Sequence, residues 1–275
     1  MTDTHPIGIF DSGYGGLTIL KEIKKELPQY DYFYLGDNAR TPYGTRSFDV
    51  VYEFTLQAVK RLFDMGCHLV ILACNTASAK ALRTIQQTDI PLMAPNKRVL
   101  GVIRPSAEEV VNYTNNKQIG VLGTRGTVSS MSYVLELEKL HNGNLNVSQE
   151  ACPMWVPIVE NNEIGTPGAN FFIKKNIDNL LLKNPLIDTI ILGCTHYPLL
   201  IESIKQFLPN NIKVLEQGPI VAKKLNNYLL RHPEIEEHCS KNGQTTYFTT
   251  ENADNFDTMA SLFMDEAIKA KTLHL

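Results

Sequence analysis

Long apolar runs are missing from this chain. No stretch approaches the roughly 18 residues that a membrane span requires. Runs of basic residues are missing too, and the net charge is -3. That balance argues against nucleic acid or an anionic membrane as the main partner. The opening MTDTHPIGIFD has no apolar signal-peptide core, so the expected location is the cytoplasm. CxxC pairs are absent as well. The five cysteines (Cys67, Cys74, Cys152, Cys194, Cys239) are odd in number, and no histidine cluster stands beside them. A disulfide framework and most zinc spacings are thereby excluded, and no metal site is expected. Isolated thiols in a reducing compartment are either inert core residues or nucleophiles and bases.

What is present is ordinary globular material. Of 275 residues, 43% are apolar and 20% charged, enough for one large domain or two of about 100–150 residues each. Against this background two cysteines share a local sequence. Cys74 sits in VILACNTA and Cys194 in IILGCTHY. Each ends an apolar run, follows a small residue, and precedes a polar pair, Asn75-Thr76 or Thr195-His196. A helical pattern comes next. This is the signature of a βα unit with the thiol at the carboxyl end of the strand, where open α/β sheets bind ligands.

Other landmarks repeat. Ile7 to Phe10 reads as a strand, Asp11-Ser12-Gly13 as a turn, and Leu17, Leu20, Ile23 and Leu27 as a helix face ending before Pro28. Tyr30 to Asp37 reads as an aromatic strand, with a loop after it marked by Pro42 and Gly44. Helices are expected over Val50 to Met65 and Ala77 to Gln87, with IPLM (Ile90 to Met93) as a strand and a helix after Pro105. The pattern then restarts: Gln118 to Thr124 resembles Pro6 to Ser12. Cys194 follows Ile119 at an offset close to that of Cys74 from Ile7. Matching landmarks at matching offsets indicate an internal duplication. The expected fold is two pseudo-symmetric α/β domains with mainly parallel sheets facing across a central cleft. The tail exceeds what the second half needs. It holds strands at Lys213 to Leu215 and Thr245 to Thr250, a helix over Ile220 to Leu230, and an amphipathic stretch from Phe256.

A helix N-terminus lowers a thiol pKa, and both cysteines precede a helix. One cysteine beside a base would indicate a nucleophile. Two in equivalent settings fit another task. A substrate and product that are mirror images need a base on one face and an acid on the other, with the roles exchanged in reverse. Cofactor-free racemisation at carbon meets that description. Ser12, Thr76, Thr124, Thr127 and Thr195 can bind a carboxylate, while Asp11 and the Asn75 amide can receive an ammonium. The remaining cysteines read as packing residues, as do Trp155 and the aromatics of YDYFYL. Gly13-Tyr14-Gly15-Gly16 fails as a dinucleotide loop because Thr18 stands where a glycine is needed.

Six motifs together resemble the aspartate/glutamate racemase family, and within it the glutamate-specific enzymes. They are GIFDSGYGG, PYGTR, ACNTA, GTRGTV, CPMWVPIVE and GCTHYP, spread over nearly the whole chain in the family's order. The resemblance implies interconversion of L- and D-glutamate without a cofactor, supplying peptidoglycan synthesis, by a homodimer. It implies Cys74 and Cys194 as the acid/base pair, with Asp11 supporting Cys74, and Glu160 and His196 supporting Cys194. Substrate-binding positions by motif match are Asp11, Ser12, Tyr43, Gly44, Asn75, Thr76, Thr195 and His196. It also implies a tail that returns to the first domain, giving domains 1–103 plus 217–275 and 104–216. Ala94 to Leu100 stands out from the family pattern as a short insertion at the domain crossover. Two other readings compete: a sister racemase for aspartate, and a two-lobed binding module without catalysis.

Overall fold

Strands separated by helices are joined by crossovers, and crossovers give parallel sheets with both faces covered. The computed structural model, which describes residues 4–275, contains two such sheets. One contains β1 (Ile7–Asp11), β2 (Tyr32–Gly36), β3 (Leu69–Leu72) and β4 (Arg98–Gly101). The other contains β5 (Gln118–Gly123), β6 (Asn146–Ala151), β7 (Thr189–Gly193) and β8 (Lys213–Leu215). The tail returns two more strands, β9 (Thr245–Thr249) and β10 (Ala270–Thr272), to the first sheet. The orders are β10-β9-β2-β1-β3-β4 and β6-β5-β7-β8. Without the tail strands the two orders are the same. All ladders between these strands are parallel.

The central strands explain the apolar runs. Ile7, Ile9 and Phe10 of β1, and Ile119, Val121 and Leu122 of β5, are wholly buried between helical layers. The helix Gly16–Glu26 buries Leu17, Leu20 and Ile23 and stops at Leu27, one residue before Pro28. It packs on the tail helices Gln217–Arg231 and Ala253–Met264. Tyr14 stacks on Phe256 and Phe263 of the latter, with ring centroids 5.4 and 6.0 Å apart. Apolar contact along this face fixes the tail to the first sheet.

Two local expectations are corrected. Ile90–Met93 is helical, not a strand. Pro91 has no N–H to give a ladder, and Leu92 is 85% exposed, which no inner strand would allow. The segment read as an insertion, Ala94 to Leu100, runs into a strand. Arg98–Gly101 is β4, paired in parallel with β3. The helix expected over Ala77 to Gln87 starts at Asn75 and breaks into short segments, Asn75–Lys80 and Leu82–Thr84, before a π-helical turn at Ile85–Asp89.

Candidate active site

Equivalent strands place equivalent residues. Cys74 lies two residues beyond the end of β3, and Cys194 directly follows β7. Both sulfurs reach one cavity of about 330 Å³, whose wall also includes Asp11, Ser12, Thr124 and His196. Each cysteine is 6% exposed, so neither is sealed in the core. Cys67 and Cys239 are buried and absent from this wall. Cys152 is on the wall, yet 1% exposed and directed at the Glu150 carbonyl at 3.7 Å. A larger cavity of about 760 Å³ contains neither Cys74 nor Cys194; it lies among the helices Ile103–Glu109, Ser132–His141 and Gln217–Arg231. Volume alone is therefore a poor guide here, and the thiol-bearing cavity is the candidate site.

Cys74 caps the helix Asn75–Lys80: its Sγ accepts from the Ala77 N–H at 3.4 Å and lies 3.4 Å from Ser12 Oγ. The expected lowering by the helix N-terminus is present through the Ala77 N–H, but larger effects oppose it. Burial, then the charge of Asp11, pushes the thiol up to about 12, and the bonds from Ser12 and Ala77 only partly oppose this. Asp11 itself is 1% exposed and accepts the Gly13 N–H at 2.8 Å. Burial raises its carboxyl above the usual range, with the His196 charge and the Gly13 and Gly16 N–H groups pulling the other way.

Cys194 has different company. Its Sγ lies 3.9 Å from His196 Nδ1, and His196 Nε2 lies 2.9 Å from Glu160 Oε1. Glu160 ends the helix Trp155–Glu160. Burial alone would depress His196, but its hydrogen bonds to Cys194 and Glu160, and their charges, raise it to about 10. Those bonds and charges favour the protonated ring, placed between the sulfur and the carboxylate. The edge of Phe263 meets the same ring, with centroids 5.6 Å apart.

The two halves touch at this point. Thr18 Oγ1 donates to the Thr195 carbonyl at 2.9 Å. A Cβ at Gly15 would come within 2.4 Å of His196 Nδ1 and of Thr195 Oγ1, so only glycine fits. Thr76, Thr124 and Thr127 form a hydroxyl cluster across the seam, at 3.0, 3.1 and 3.5 Å. Thr76 and Thr124 reach the wall; Thr127 is wholly buried behind it. Thr195 and Asn75 are also on the wall.

The loop after β2 covers the cavity. Tyr43 and Gly44 line it, but the Tyr43 hydroxyl donates to Asp37, which also accepts from Arg40 Nε at 2.7 Å and Thr250 Oγ1 at 2.8 Å. Tyr43 thus offers the cavity its ring and backbone rather than its hydroxyl. Lys80 donates to the Arg46 carbonyl at 2.6 Å and holds the far end of the loop. Asp37 gave no signal beyond ending an aromatic strand. Arg125, at the mouth, lay unnoticed inside GTRGTV, and Val156 and Pro157 inside CPMWVPIVE.

The family described as Asp/Glu/Hydantoin racemase matches residues 15–225. A glutamate racemase of Persephonella marina is 37% identical over 270 residues, covering 98% of this chain and 97% of that protein. The crystal structure of a glutamate racemase isoform from Bacillus anthracis superposes with a TM-score of 0.89 at 33% identity, covering 100% of this chain and 99% of that one. A glutamate racemase from Francisella tularensis, solved in complex with D-glutamate, gives a TM-score of 0.86 at 31% identity over 99% and 98% of the chains.

Proposed function

The chain belongs to the Asp/Glu/Hydantoin racemase family, and on that premise we propose that it interconverts L- and D-glutamate by a two-base mechanism using Cys74 and Cys194. The observation that carries the reading is the pair of thiols at equivalent strand ends, opening into one cavity walled by both halves of the chain. One thiolate removes the α-proton; the other thiol returns a proton to the opposite face of the planar carbanion. Each turnover leaves the first sulfur protonated and the second ionised, which is the state that reads the other enantiomer.

Asp11 receives the substrate ammonium. This offsets the like charge that, after burial, holds Cys74 up, so binding itself helps to ready that thiol. Thr76, Thr124 and Thr195 hydroxyls, with loop N–H groups at Gly44, hold the carboxylates. His196, oriented by Glu160, steadies charge at Cys194. The same reading takes 1–103 plus 217–275 and 104–216 as the two lobes, and it carries a cytoplasmic homodimer supplying D-glutamate for peptidoglycan. No helix among the described residues is long and apolar enough to cross a membrane.

The test is the optical rotation of L-glutamate with purified protein and a thiol reductant, without pyridoxal phosphate or metal. Decay to zero is expected. Activity on aspartate alone reassigns the substrate; inactivity on both leaves a binding module.

A further inference from the structure

A buried polar chain joins the two half-sites. The Tyr133 hydroxyl donates to Asn75 Oδ1 at 2.8 Å, Asn75 Nδ2 donates to Gln217 Oε1 at 2.6 Å, and Gln217 Nε2 donates to the Tyr133 oxygen at 2.8 Å. Gln217 Nε2 also reaches Ser106 Oγ at 2.9 Å and the Val102 carbonyl at 3.1 Å. The three side chains close a ring, and the Val102 carbonyl, which can only accept, sets its polarity by fixing where the Gln217 NH2 lies. Gln217 gives to Tyr133, so Tyr133 must give to Asn75, and Asn75 must give to Gln217. Three segments distant in sequence meet here: the residue after Cys74, the helix Ser132–His141, and the first residue of the helix Gln217–Arg231. Tyr133 also touches the other thiol's strand. A Cβ on Gly193, immediately before Cys194, would sit 3.1 Å from its ring. One buried side chain thus bears on the neighbours of both sulfurs.

We propose that Tyr133 and Gln217 are positioning residues that hold Asn75 as a hydrogen-bond donor toward the substrate α-carboxylate. The inference rests on the racemase reading above. Asn75 stands on the cavity wall, yet its Oδ1 is engaged by Tyr133 and one Nδ2–H by Gln217. What it keeps for a ligand is the second N–H, which suits a carboxylate, and the second lone pair of Oδ1. A free asparagine amide flips between two orientations; this one is fixed by partners that are themselves fixed.

A double-mutant cycle on the full-length protein tests this. Tyr133→Phe keeps the ring and removes only the hydroxyl. It should raise KM for both enantiomers about tenfold and change kcat by less than about threefold. In an Asn75→Ala background the same change should add less than about twofold. Multiplying effects in the cycle, or a fall in kcat at unchanged KM, overturns the proposal. Gln217→Met serves in the same cycle if the melting temperature shows that Tyr133→Phe does not fold. Wild-type protein that leaves glutamate unchanged sinks the racemase reading and this inference with it; active wild type with multiplying effects sinks this inference alone.

Discussion

The two thiols occupy the same place in two copies of one sheet topology, and their surroundings could hardly differ more. Cys74 is escorted by a carboxyl and a hydroxyl from its own sheet, Asp11 and Ser12, and sits on a helix N-terminus. Cys194 is escorted by the His196 ring two residues along its own chain, backed by Glu160. The matched sheets give matched positions and unmatched chemistry. A pair of mirror-image steps needs two sulfurs on opposite faces; it does not need the two to be activated in the same way. On the Cys74 side the neighbour is a buried carboxyl, which the proposed mechanism pairs with the substrate ammonium. On the Cys194 side a ring that favours its protonated form stands beside the sulfur.

The strongest way to break this comparison is to remove one sulfur at a time. Cys74→Ser and Cys194→Ser should each lower racemisation by about 10²–10⁴-fold, the range of a general acid or base. In D₂O each variant should still exchange the α-proton of one enantiomer, and the two variants should choose opposite enantiomers. Near-normal racemisation by both single variants, followed polarimetrically, would falsify the two-base assignment.

The next test separates the escorts. His196 stays protonated below about 10, so kcat/KM should fall as pH rises through that value. Glu160→Gln removes one of the groups that raise His196, which moves this limb to lower pH. Each unit of displacement lowers kcat/KM about tenfold at a fixed pH above the new limb. A pH profile unchanged by Glu160→Gln would show that the carboxylate does not act through His196.

Stability should follow the same group with a predictable sign. A folded-state pKa raised above the ordinary 6.5 means that the folded protein holds this proton more tightly than the unfolded chain. The stabilisation is complete below about 6.5 and is lost as pH rises through about 10. Cys74, raised from 9.0 to about 12, adds a loss of the same sign over the higher window. Melting temperature measured from pH 6 to 10 should therefore decline on the alkaline side, and less so in Glu160→Gln.

The smallest effect belongs to the seam. Thr127→Val removes a buried hydroxyl from the threonine cluster and should cost about 1 kcal/mol in a denaturant titration. Because Thr127 stands behind the wall, its effect on KM should be smaller than that of Thr124→Val. The reverse order would return Thr127 to direct contact with substrate.

The parts legible in the sequence were those encoded locally. An apolar strand, a small residue, a cysteine and a polar pair are contiguous, so both thiols and the duplicated sheets could be read directly. β4 was misplaced because Ile90 to Met93 is the more apolar tetrapeptide, while Arg98–Gly101 presents a charged end. Backbone chemistry decided between them through Pro91, and composition alone misleads there. Tyr133 and Gln217 carried no signal at all. Each acts only by meeting Asn75 across more than 50 positions of chain, and no local pattern announces such a meeting. Tyr43 was legible as a position and illegible as a group, since its hydroxyl is turned to a carboxylate outside the motif.

The bare backbone at Gly15 has a practical side. It is the place where one half of the molecule rests directly on the ring that serves the other half's sulfur. A single methyl there would act as a shim. It would press on the His196 ring itself and open its contact with the Cys194 sulfur, so the missing side chain acts as a gauge for the ring-to-sulfur spacing.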